Sequence, residues 1–169
     1  MKRLYLVRHA KSSWKYTDLR DFDRPLNKRG KKDAPFMGKL LAEDSVMPDL
    51  IISSPALRAL STAKKIAAEL GYSVEKIETH KRLYESDTDD YLNVISQVPD
   101  NVETLMIFSH NPGLTILNNF LSDKRIDNIP TCGIVNIEIT IKRWKDLDFE
   151  KGQLISFDYP KKFITEKDV

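Results

Sequence analysis

The sequence feature that most constrains the fold is an unbroken apolar run, Leu4 to Val7, which continues directly into Arg8 and His9. A short apolar run without alternation is typical of a strand that is buried on both faces, as in a parallel sheet. Ligands of such sheets bind just beyond the carboxyl ends of the strands. The sequence therefore predicts a binding site at Arg8 and His9, where Arg8 could hold an anion on which His9 acts.

Length and composition narrow the class of protein. The chain has 169 residues, 41% of them apolar and 31% charged, which is typical of a soluble globular protein with one core. We expect one catalytic domain over residues 1–160 and a polar, solvated tail over residues 161–169. The net charge of +2 argues neither for nor against nucleic acid, and the lysine-rich runs are better explained as solvated faces.

The single cysteine and the short apolar runs indicate the cellular compartment in which we expect the protein. Cys132 has no second cysteine to pair with, which rules out an internal disulfide and a cysteine zinc cluster. No apolar run approaches the roughly 18 residues that span a membrane, and the run after Lys2 and Arg3 is too short for the core of a signal peptide. We therefore expect a cytoplasmic protein without membrane or nucleic-acid partners.

Strand-like and helix-like segments alternate along the chain. Two further buried strands are predicted at 50–52 and 105–108, with a weaker strand region at 74–83, and late segments at 134–141 and 154–159 read as an antiparallel pair. Helices are predicted from Asn27 to about 42, from Ser54-Pro55 to Leu70 with Gly71 as its stop, over 88–98, and from Asn111-Pro112 to about 121. This alternation indicates a layered α/β fold with a mostly parallel central sheet.

Three local features add detail to this outline. Pro35 lies inside the first helix and is expected to kink or break it. In the second helix the predicted buried stripe includes Leu57 and leaves Arg58 outside it. The polar stretch from Ser12 to Arg24 reads as a long loop, and long loops in compact domains are often functional.

Two of the three histidines occupy equivalent positions. His9 and His110 each follow a predicted buried strand. If these two strands are neighbours in the sheet, both imidazoles face the same crevice. For either histidine alone, a structural role in a turn is an equally good explanation. His80 lies beside Lys81 within a weak strand region and is interpreted as an exposed strand residue.

Arg58 completes a cationic set around that crevice. It lies in the first turn of its predicted helix, from which a guanidinium can reach back over the helix N-terminus, although taken alone a surface arginine explains it better. Two arginines and two histidines together require an anion, and a phosphoryl group matches planar guanidinium forks. A neutral imidazole is a competent nucleophile toward phosphorus, and a second imidazole could stabilise the phosphoryl oxygens.

Glu85 and Ser12 are further candidates. Glu85 ends the weak third strand region, and a carboxylic acid is the natural group to protonate a leaving oxygen. Nearby arginines would lower its pKa whereas a general acid needs a raised one, and an acid at a helix start explains Glu85 as well. Ser12, just beyond the first strand, is a candidate for phosphate binding.

The sequence has no glycine-rich nucleotide loop, no zinc spacing of histidines and no acidic cluster near them, so we expect neither a cofactor nor a metal.

Three motifs follow one another along the chain: Leu6-Val7-Arg8-His9-Ala10, Ser53-Ser54-Pro55-x-x-Arg58-Ala59-x-x-Thr62-Ala63 and Ser109-His110-Asn111-Pro112-Gly113. In this order they resemble the histidine phosphatase superfamily, which phosphoglycerate mutase typifies. The short chain, and two further stretches at Asp23–Gly30 and Pro130-Thr131, are similar to its small SixA-type phosphohistidine phosphatases, and the match covers residues 1 to about 140.

The resemblance implies a three-layer α/β/α sandwich and assigns roles by position. His9 matches the nucleophile that becomes phosphorylated, and Arg8, Arg58 and His110 match the rest of a phosphate pocket that uses no metal. Glu85 falls where larger members keep a proton donor. Ala10 departs from the usual glycine, which would matter if the backbone there needed a positive φ or a close approach.

The resemblance also implies an activity. We expect a metal-independent phosphatase that acts through a phosphohistidine intermediate, with phosphohistidine of a protein as the preferred substrate. The absence of the insertions that roof the pocket in mutases suits that substrate, or else broad small-molecule specificity. Two alternatives stay open: a small-molecule phosphomonoesterase or mutase, and a non-catalytic phosphate-binding module on the same scaffold.

Overall fold

Six strands and five helices follow one another in a computed structural model that describes residues 1–164. The strands are β1 (Lys2–Arg8), β2 (Leu50–Ser53), β3 (Glu78–Thr79), β4 (Thr104–Ser109), β5 (Ile134–Ile139) and β6 (Gly152–Asp158). The helices are α1 (Lys28–Glu43), α2 (Leu57–Leu70), α3 (Thr88–Ser96), α4 (Gly113–Leu121) and α5 (Pro160–Phe163). Within residues 1–164, none of these helices has both the length and the apolar character needed to cross a bilayer.

The strands form one mixed sheet in the order β3-β2-β4-β1-β5-β6. The neighbours β3, β2, β4 and β1 are parallel, whereas β5 is antiparallel to both β1 and β6. The predicted mostly parallel sheet with an antiparallel C-terminal strand pair is therefore confirmed. The central position of β1, between β4 and β5, explains why its apolar run shows no alternation.

Alternate residues of β1 serve two hydrophobic cores, one on each face of the sheet. Leu4 and Leu6 are fully buried against the core formed with α3 and α4. Tyr5 and Val7 belong to the core formed with α1 and α2. Because both faces are covered by helices, the architecture is the expected three-layer α/β/α sandwich.

The register of the sheet brings the ends of β1, β2 and β4 to one edge. Arg8 pairs with Ser109 across β1 and β4, so the next residue of each chain segment is a histidine. The His9 N–H donates to the Ser109 carbonyl at 3.1 Å, and the Ser54 N–H donates to the Phe108 carbonyl at 2.9 Å. The chain segments that leave these three strands are thus fixed to one another at the carboxyl edge of the sheet.

The structure departs from the sequence-based prediction at three places. Helix α1 runs through Pro35 without interruption, because the burial of Met37 and Leu41 beyond it outweighs the missing hydrogen bond. Of the predicted strand region 74–83, only the two residues of β3 pair with the sheet, since the region has too few apolar residues to cover a sheet face. Residues 161–163 of the tail, which was expected to be polar and solvated, belong to α5, and residues 165–169 lie outside the described residues.

Gly30 allows the start of α1 to pack closely against the residues that follow β1. A Cβ atom at Gly30 would overlap the Lys11 carbonyl oxygen. The Asn27 N–H donates to that same oxygen at 3.0 Å, and the Asn27 side chain accepts from the Gly30 N–H at 2.9 Å, as a helix N-cap does. This contact fixes a position only two residues beyond His9.

We therefore predict that Gly30→Ala lowers the free energy of unfolding. Glycine to alanine inside a helix ordinarily stabilises it by about 0.5–1 kcal/mol, but overpacking costs about 1–3 kcal/mol and should reverse the sign here. Urea denaturation would measure the change, with the exposed neighbour substitution Lys31→Ala as a control expected to stay within about 0.5 kcal/mol. Unchanged or increased stability of Gly30→Ala would show that the two segments are not in tight contact.

Candidate active site

His9 and His110 face each other at the carboxyl edge of the sheet. The centroids of their rings are 5.2 Å apart, and only 7% of His9 and 8% of His110 is exposed. The two strands that carry them are neighbours, so the equivalent positions seen in the sequence become adjacent in space. His80, the third histidine, lies outside this crevice and forms its contact with Glu78.

A backbone hydrogen bond fixes the tautomer of His9. Its Nδ1 lies 2.7 Å from the Ala10 carbonyl oxygen, which can only accept, so Nδ1 carries the hydrogen. The Nε2 atom of a neutral ring then keeps its lone pair. The backbone around this ring is also fixed, because the Ala10 N–H donates to Thr62 Oγ1 at 2.9 Å and that hydroxyl donates to the Arg58 carbonyl at 2.8 Å.

Burial and neighbouring cations keep both imidazoles neutral. Desolvation lowers the pKa of His9 to about 4, and the positive charges of Arg58 and Arg8 act in the same direction. Desolvation likewise lowers the pKa of His110 to about 3, helped by His9 and Arg58. At neutral pH the crevice therefore holds two uncharged imidazoles beside guanidinium groups.

Ser54 orients the His110 ring. Its Oγ lies 2.8 Å from His110 Nε2 and accepts from the Ala56 N–H at 3.2 Å, which leaves the hydroxyl hydrogen free to point at Nε2. In that arrangement the hydrogen of the neutral His110 ring resides on Nδ1. Among residues 1–164, this buried Nδ1 has no hydrogen-bond partner.

Each arginine of the predicted set also keeps one buried nitrogen without a partner. Arg8 donates from Nη1 to the Ile129 carbonyl at 2.9 Å, while its Nε has no partner in the described part of the chain. Arg58 is 6% exposed, and its buried Nε likewise lacks a partner there. Leaving a buried N–H unpaired is costly, so such groups call for an explanation, and a bound anion supplies one.

Asp21 and Tyr84 belong to the same cluster, and the sequence-based prediction missed them. The Asp21 carboxylate accepts from Arg58 Nη2 at 2.9 Å, from the Tyr84 hydroxyl at 2.7 Å and from Arg24 Nε at 3.0 Å. Its backbone carbonyl accepts from Arg58 Nη1 at 2.6 Å. Desolvation raises the pKa of Asp21, but the hydrogen bonds from Tyr84 and Arg58 outweigh it and hold that pKa at about 2.

Arg24 connects Ser12 to this cluster. Its Nη1 donates to Ser12 Oγ at 2.7 Å, and its guanidinium lies 3.5 Å from the centroid of the Trp14 ring. Arg24 is only 7% exposed, and its charge contributes to the lowered pKa of His9. The motif from Asp23 to Gly30 contained the signal for Arg24, whereas nothing in the sequence distinguished Asp21 from the other acids of its loop.

The first turn of α2 reverses the predicted burial of two residues. Leu57 was expected in the buried stripe but is 43% exposed, while Arg58, expected outside it, is buried. The physical reason is that this turn projects past the edge of the sheet, where the 12–24 loop covers Arg58 and leaves Leu57 uncovered. The helix begins at Leu57, later than the predicted start at Ser54-Pro55, and Gly71 ends it with φ of 70°, as predicted.

Comparison with known proteins identifies the family. The model of the histidine phosphatase superfamily (branch 1) matches residues 4–104. The chain belongs to this superfamily. A chloroplastic Arabidopsis thaliana protein without a characterised function is 33% identical over 86% of this chain and 70% of its own length.

Solved structures share the fold over nearly the whole chain. A crystal structure from Agrobacterium tumefaciens, provisionally named phosphohistidine phosphatase SixA, has a TM-score of 0.77 and 29% identity, covering 94% of this chain and 98% of that one. The protein histidine phosphatase SixA complexed with tungstate has a TM-score of 0.80 at 19% identity, covering 96% of this chain and 99% of that one. Membership in this superfamily makes the protein a phosphatase with a histidine nucleophile.

The superfamily's usual glycine is replaced by Ala10 without strain. Ala10 is fully buried, and its φ is not among the positive values found in the chain. A methyl group is therefore compatible with the backbone that follows the histidine. The segment before β5 also holds the backbone at this point, because the Cys132 N–H donates to the His9 carbonyl at 3.0 Å.

Glu85 lies at the open side of the crevice. It lines a cleft together with Arg58, Tyr84 and His110, and its side chain is exposed. Its φ of 56° lies in the left-handed region, which is uncommon for a residue with a side chain and is a feature of functional sites. Within residues 1–164, no group of three or more metal-ligating side chains is placed to hold a metal ion.

The lowered histidine pKa values predict how activity depends on pH. If His9 is the nucleophile, its neutral form is the reactive one, so kcat/KM should be retained as the pH falls below 6.5 and be lost through about pH 4. Activity on an aryl phosphate measured at constant ionic strength would locate this acid limb. An acid limb near the ordinary histidine pKa of 6.5 would contradict the description of His9 as a desolvated imidazole.

Unfolding must be separated from this titration. Both imidazoles have a lowered pKa in the folded state, so their contribution to stability is full above pH 6.5 and declines as the pH falls toward their folded values. Circular dichroism at each pH would show which points of the activity profile come from folded protein.

Proposed function

We propose that the protein hydrolyses phosphohistidine on a protein substrate, with His9 as the nucleophile. One observation carries this proposal: the free Nε2 of a neutral, tautomer-fixed His9 lies in a crevice with three buried nitrogens that lack partners. These nitrogens belong to Arg8, Arg58 and His110. The phosphorus of a tetrahedral phosphoryl group can be attacked by a nucleophile, and its oxygens can accept hydrogen bonds from such donors.

In the first step, the lone pair of His9 Nε2 forms a bond to phosphorus as the bond to the leaving group breaks. The leaving group departs with the electron pair of the broken bond and takes up a proton from Glu85 or from solvent, which the attacking water of the second step replaces. Positive charge develops on the His9 ring, and the Ala10 carbonyl, 2.7 Å from Nδ1, stabilises it. Arg8, Arg58 and His110 hold the phosphoryl oxygens while the phosphorus moves from one atom to the other.

In the second step, water attacks the phosphorus and His9 leaves as a neutral imidazole. The products are inorganic phosphate and the enzyme with its original tautomer. The two protons of the attacking water are shared between phosphate and the departed group, so the reaction balances without a metal or another cofactor. The role proposed for Ser12 is to hold Arg24 toward the phosphoryl group through the 2.7 Å contact between Ser12 Oγ and Arg24 Nη1.

Phosphohistidine is favoured over phosphate esters by the acids around the site. An ester oxygen needs a protonated acid to leave, and Asp21, with a pKa of about 2, is ionised at neutral pH, which leaves the exposed Glu85 as the other acid of the cleft for this role. An imidazole leaving group needs less help because its bond to phosphorus is labile. The resemblance to the Agrobacterium tumefaciens structure, at 29% identity, supports the same choice. We also propose a cytoplasmic location, as the sequence predicted.

The central prediction is that His9→Asn loses phosphatase activity. Asparagine keeps a polar side chain but has no lone pair able to attack phosphorus, and removal of a nucleophile typically costs a factor of about 10³ or more in kcat. The rate of phosphate release from phosphohistidine measures the effect. Brief incubation with a phosphodonor, an alkaline quench and mass spectrometry should place the phosphoryl group on His9 of the wild type and nowhere in the variant.

The matched control is His80→Asn, which changes the histidine outside the crevice and should retain wild-type turnover. Addition of EDTA should also leave activity unchanged. Wild-type turnover by His9→Asn, or a label on another residue, would refute the proposed nucleophile.

A second prediction concerns Glu85 as proton donor. Glu85→Gln removes the proton but keeps the shape, so kcat for an alkyl phosphate should fall about tenfold or more, while kcat for phosphohistidine should change by less than about threefold. The ratio of the two rates is the decisive measurement. The neighbouring substitution Asp87→Asn, at the N-cap of α3, serves as the control for charge removal near the cleft. Equal losses on both substrates would remove Glu85 from this role.

A further inference from the structure

Large apolar side chains lie exposed beside the crevice. Trp14, Tyr16 and Leu19 from the 12–24 loop and Leu57 from the first turn of α2 are between 40% and 71% exposed. We refer to these four residues as the rim patch. Apolar side chains exposed singly need no explanation, but a group of them at one site marks a surface that another molecule covers.

The rim patch lies next to the residues around His9. Tyr16, Leu19 and Leu57 line a single groove, and Leu57 directly precedes Arg58. Trp14 lies over the guanidinium of Arg24, whose other contacts include Ser12 and Asp21 in the candidate site. Only one buried side chain therefore separates the exposed rim from the groups around His9.

The groove carries an excess of positive charge. Lys15, Lys28 and Lys31 line it, and in the part of the chain that the structure describes none of them lies within 4.0 Å of a carboxylate. Of its two acids, Asp23 is already paired with Arg20 at 3.0 Å, which leaves Asp18 alone against three lysines. A partner that covers this groove would gain most by presenting carboxylates to it.

We infer that the rim patch and its lysines bind an acidic protein surface, which delivers the phosphohistidine to His9. The inference rests on the proposed function and adds the place and the chemistry of substrate recognition. Apolar contacts with Tyr16 and Leu19 supply affinity, and the lysines select partners whose phosphohistidine is surrounded by aspartate and glutamate. A free phosphorylated metabolite is too small to reach both the pocket and the rim.

The test uses two synthetic phosphohistidine peptides of equal length and equal apolar content. One carries glutamates around the phosphohistidine and the other carries lysines, and free phosphohistidine is the small substrate. At low ionic strength kcat/KM should be about tenfold or more higher for the acidic peptide, and the preference should shrink as salt is added. The kcat/KM of free phosphohistidine should depend much less on salt.

Two double variants separate the surface from the chemistry. Tyr16→Ser with Leu19→Ser should lower kcat/KM for the acidic peptide about tenfold and leave free phosphohistidine within about twofold. Lys15→Glu with Lys31→Glu should reverse the preference toward the basic peptide. The controls lie at the opposite end of the sheet: Met47→Ser, which precedes β2, and Lys142→Glu with Lys145→Glu, which follow β5. Both controls should behave as wild type.

The outcomes distinguish this inference from the proposed function. Equal turnover of the two peptides, with normal hydrolysis of free phosphohistidine, would overturn the docking surface and leave the enzyme intact. If no phosphohistidine compound is hydrolysed, the proposed function fails, and fluorescence anisotropy of the unphosphorylated acidic peptide then decides whether the surface binds it. Self-association that Tyr16→Ser with Leu19→Ser abolishes, or preferential binding to phosphatidylserine vesicles, would assign the patch to another occupant.

Discussion

The parallel pairing of β1 with β4 is the constraint on which the rest of the site depends. Pairing of Arg8 with Ser109 means that His9 and His110 are the first residues beyond two adjacent strands. A shift of one residue would turn every side chain of β1 to the other face of the sheet, exchanging its two cores. The core that buries Leu4 and Leu6 therefore also fixes the 5.2 Å separation of the two rings.

This arrangement places positively charged groups close together in a desolvated crevice, and the protein offsets the electrostatic cost in two ways. The two imidazoles are kept neutral, so only the guanidinium groups of the set carry charge and the His9 ring keeps a lone pair. The guanidinium of Arg58 is held by Asp21, which is 48% exposed and so pairs with it at the mouth of the crevice. The nitrogens without partners are buried, and under the proposed function an arriving phosphoryl group would supply the missing acceptor.

The residues that follow strands could be predicted from the sequence because the signals are local. The apolar run before Arg8 and the strand-then-turn pattern before His110 each span fewer than ten residues, and the cap at Asn27 depends only on its immediate neighbours. Asp21 could not be predicted because its contact with Arg58 joins residues 37 apart and depends on the path of an irregular loop. The burial of Arg58 was missed for a related reason: helical periodicity does not indicate which loop covers the first turn.

The 12–24 loop links the proposed binding surface to the site, because it carries three of the four rim-patch residues as well as Asp21, the partner of Arg58 and Arg24. Asp21 occupies both terminal nitrogens of Arg58, so a phosphoryl group that needs them must compete with a carboxylate held by Tyr84 and Arg24 as well. A partner that binds Tyr16 and Leu19 contacts the same segment a few residues away. Contacts at the rim patch can therefore offset the free-energy cost of displacing Asp21 from Arg58, whereas a small phosphate compound makes no such contacts. Under the proposed function, specificity for a macromolecular substrate would need no roof over the pocket, because displacement of the resident carboxylate would favour ligands that also reach the loop.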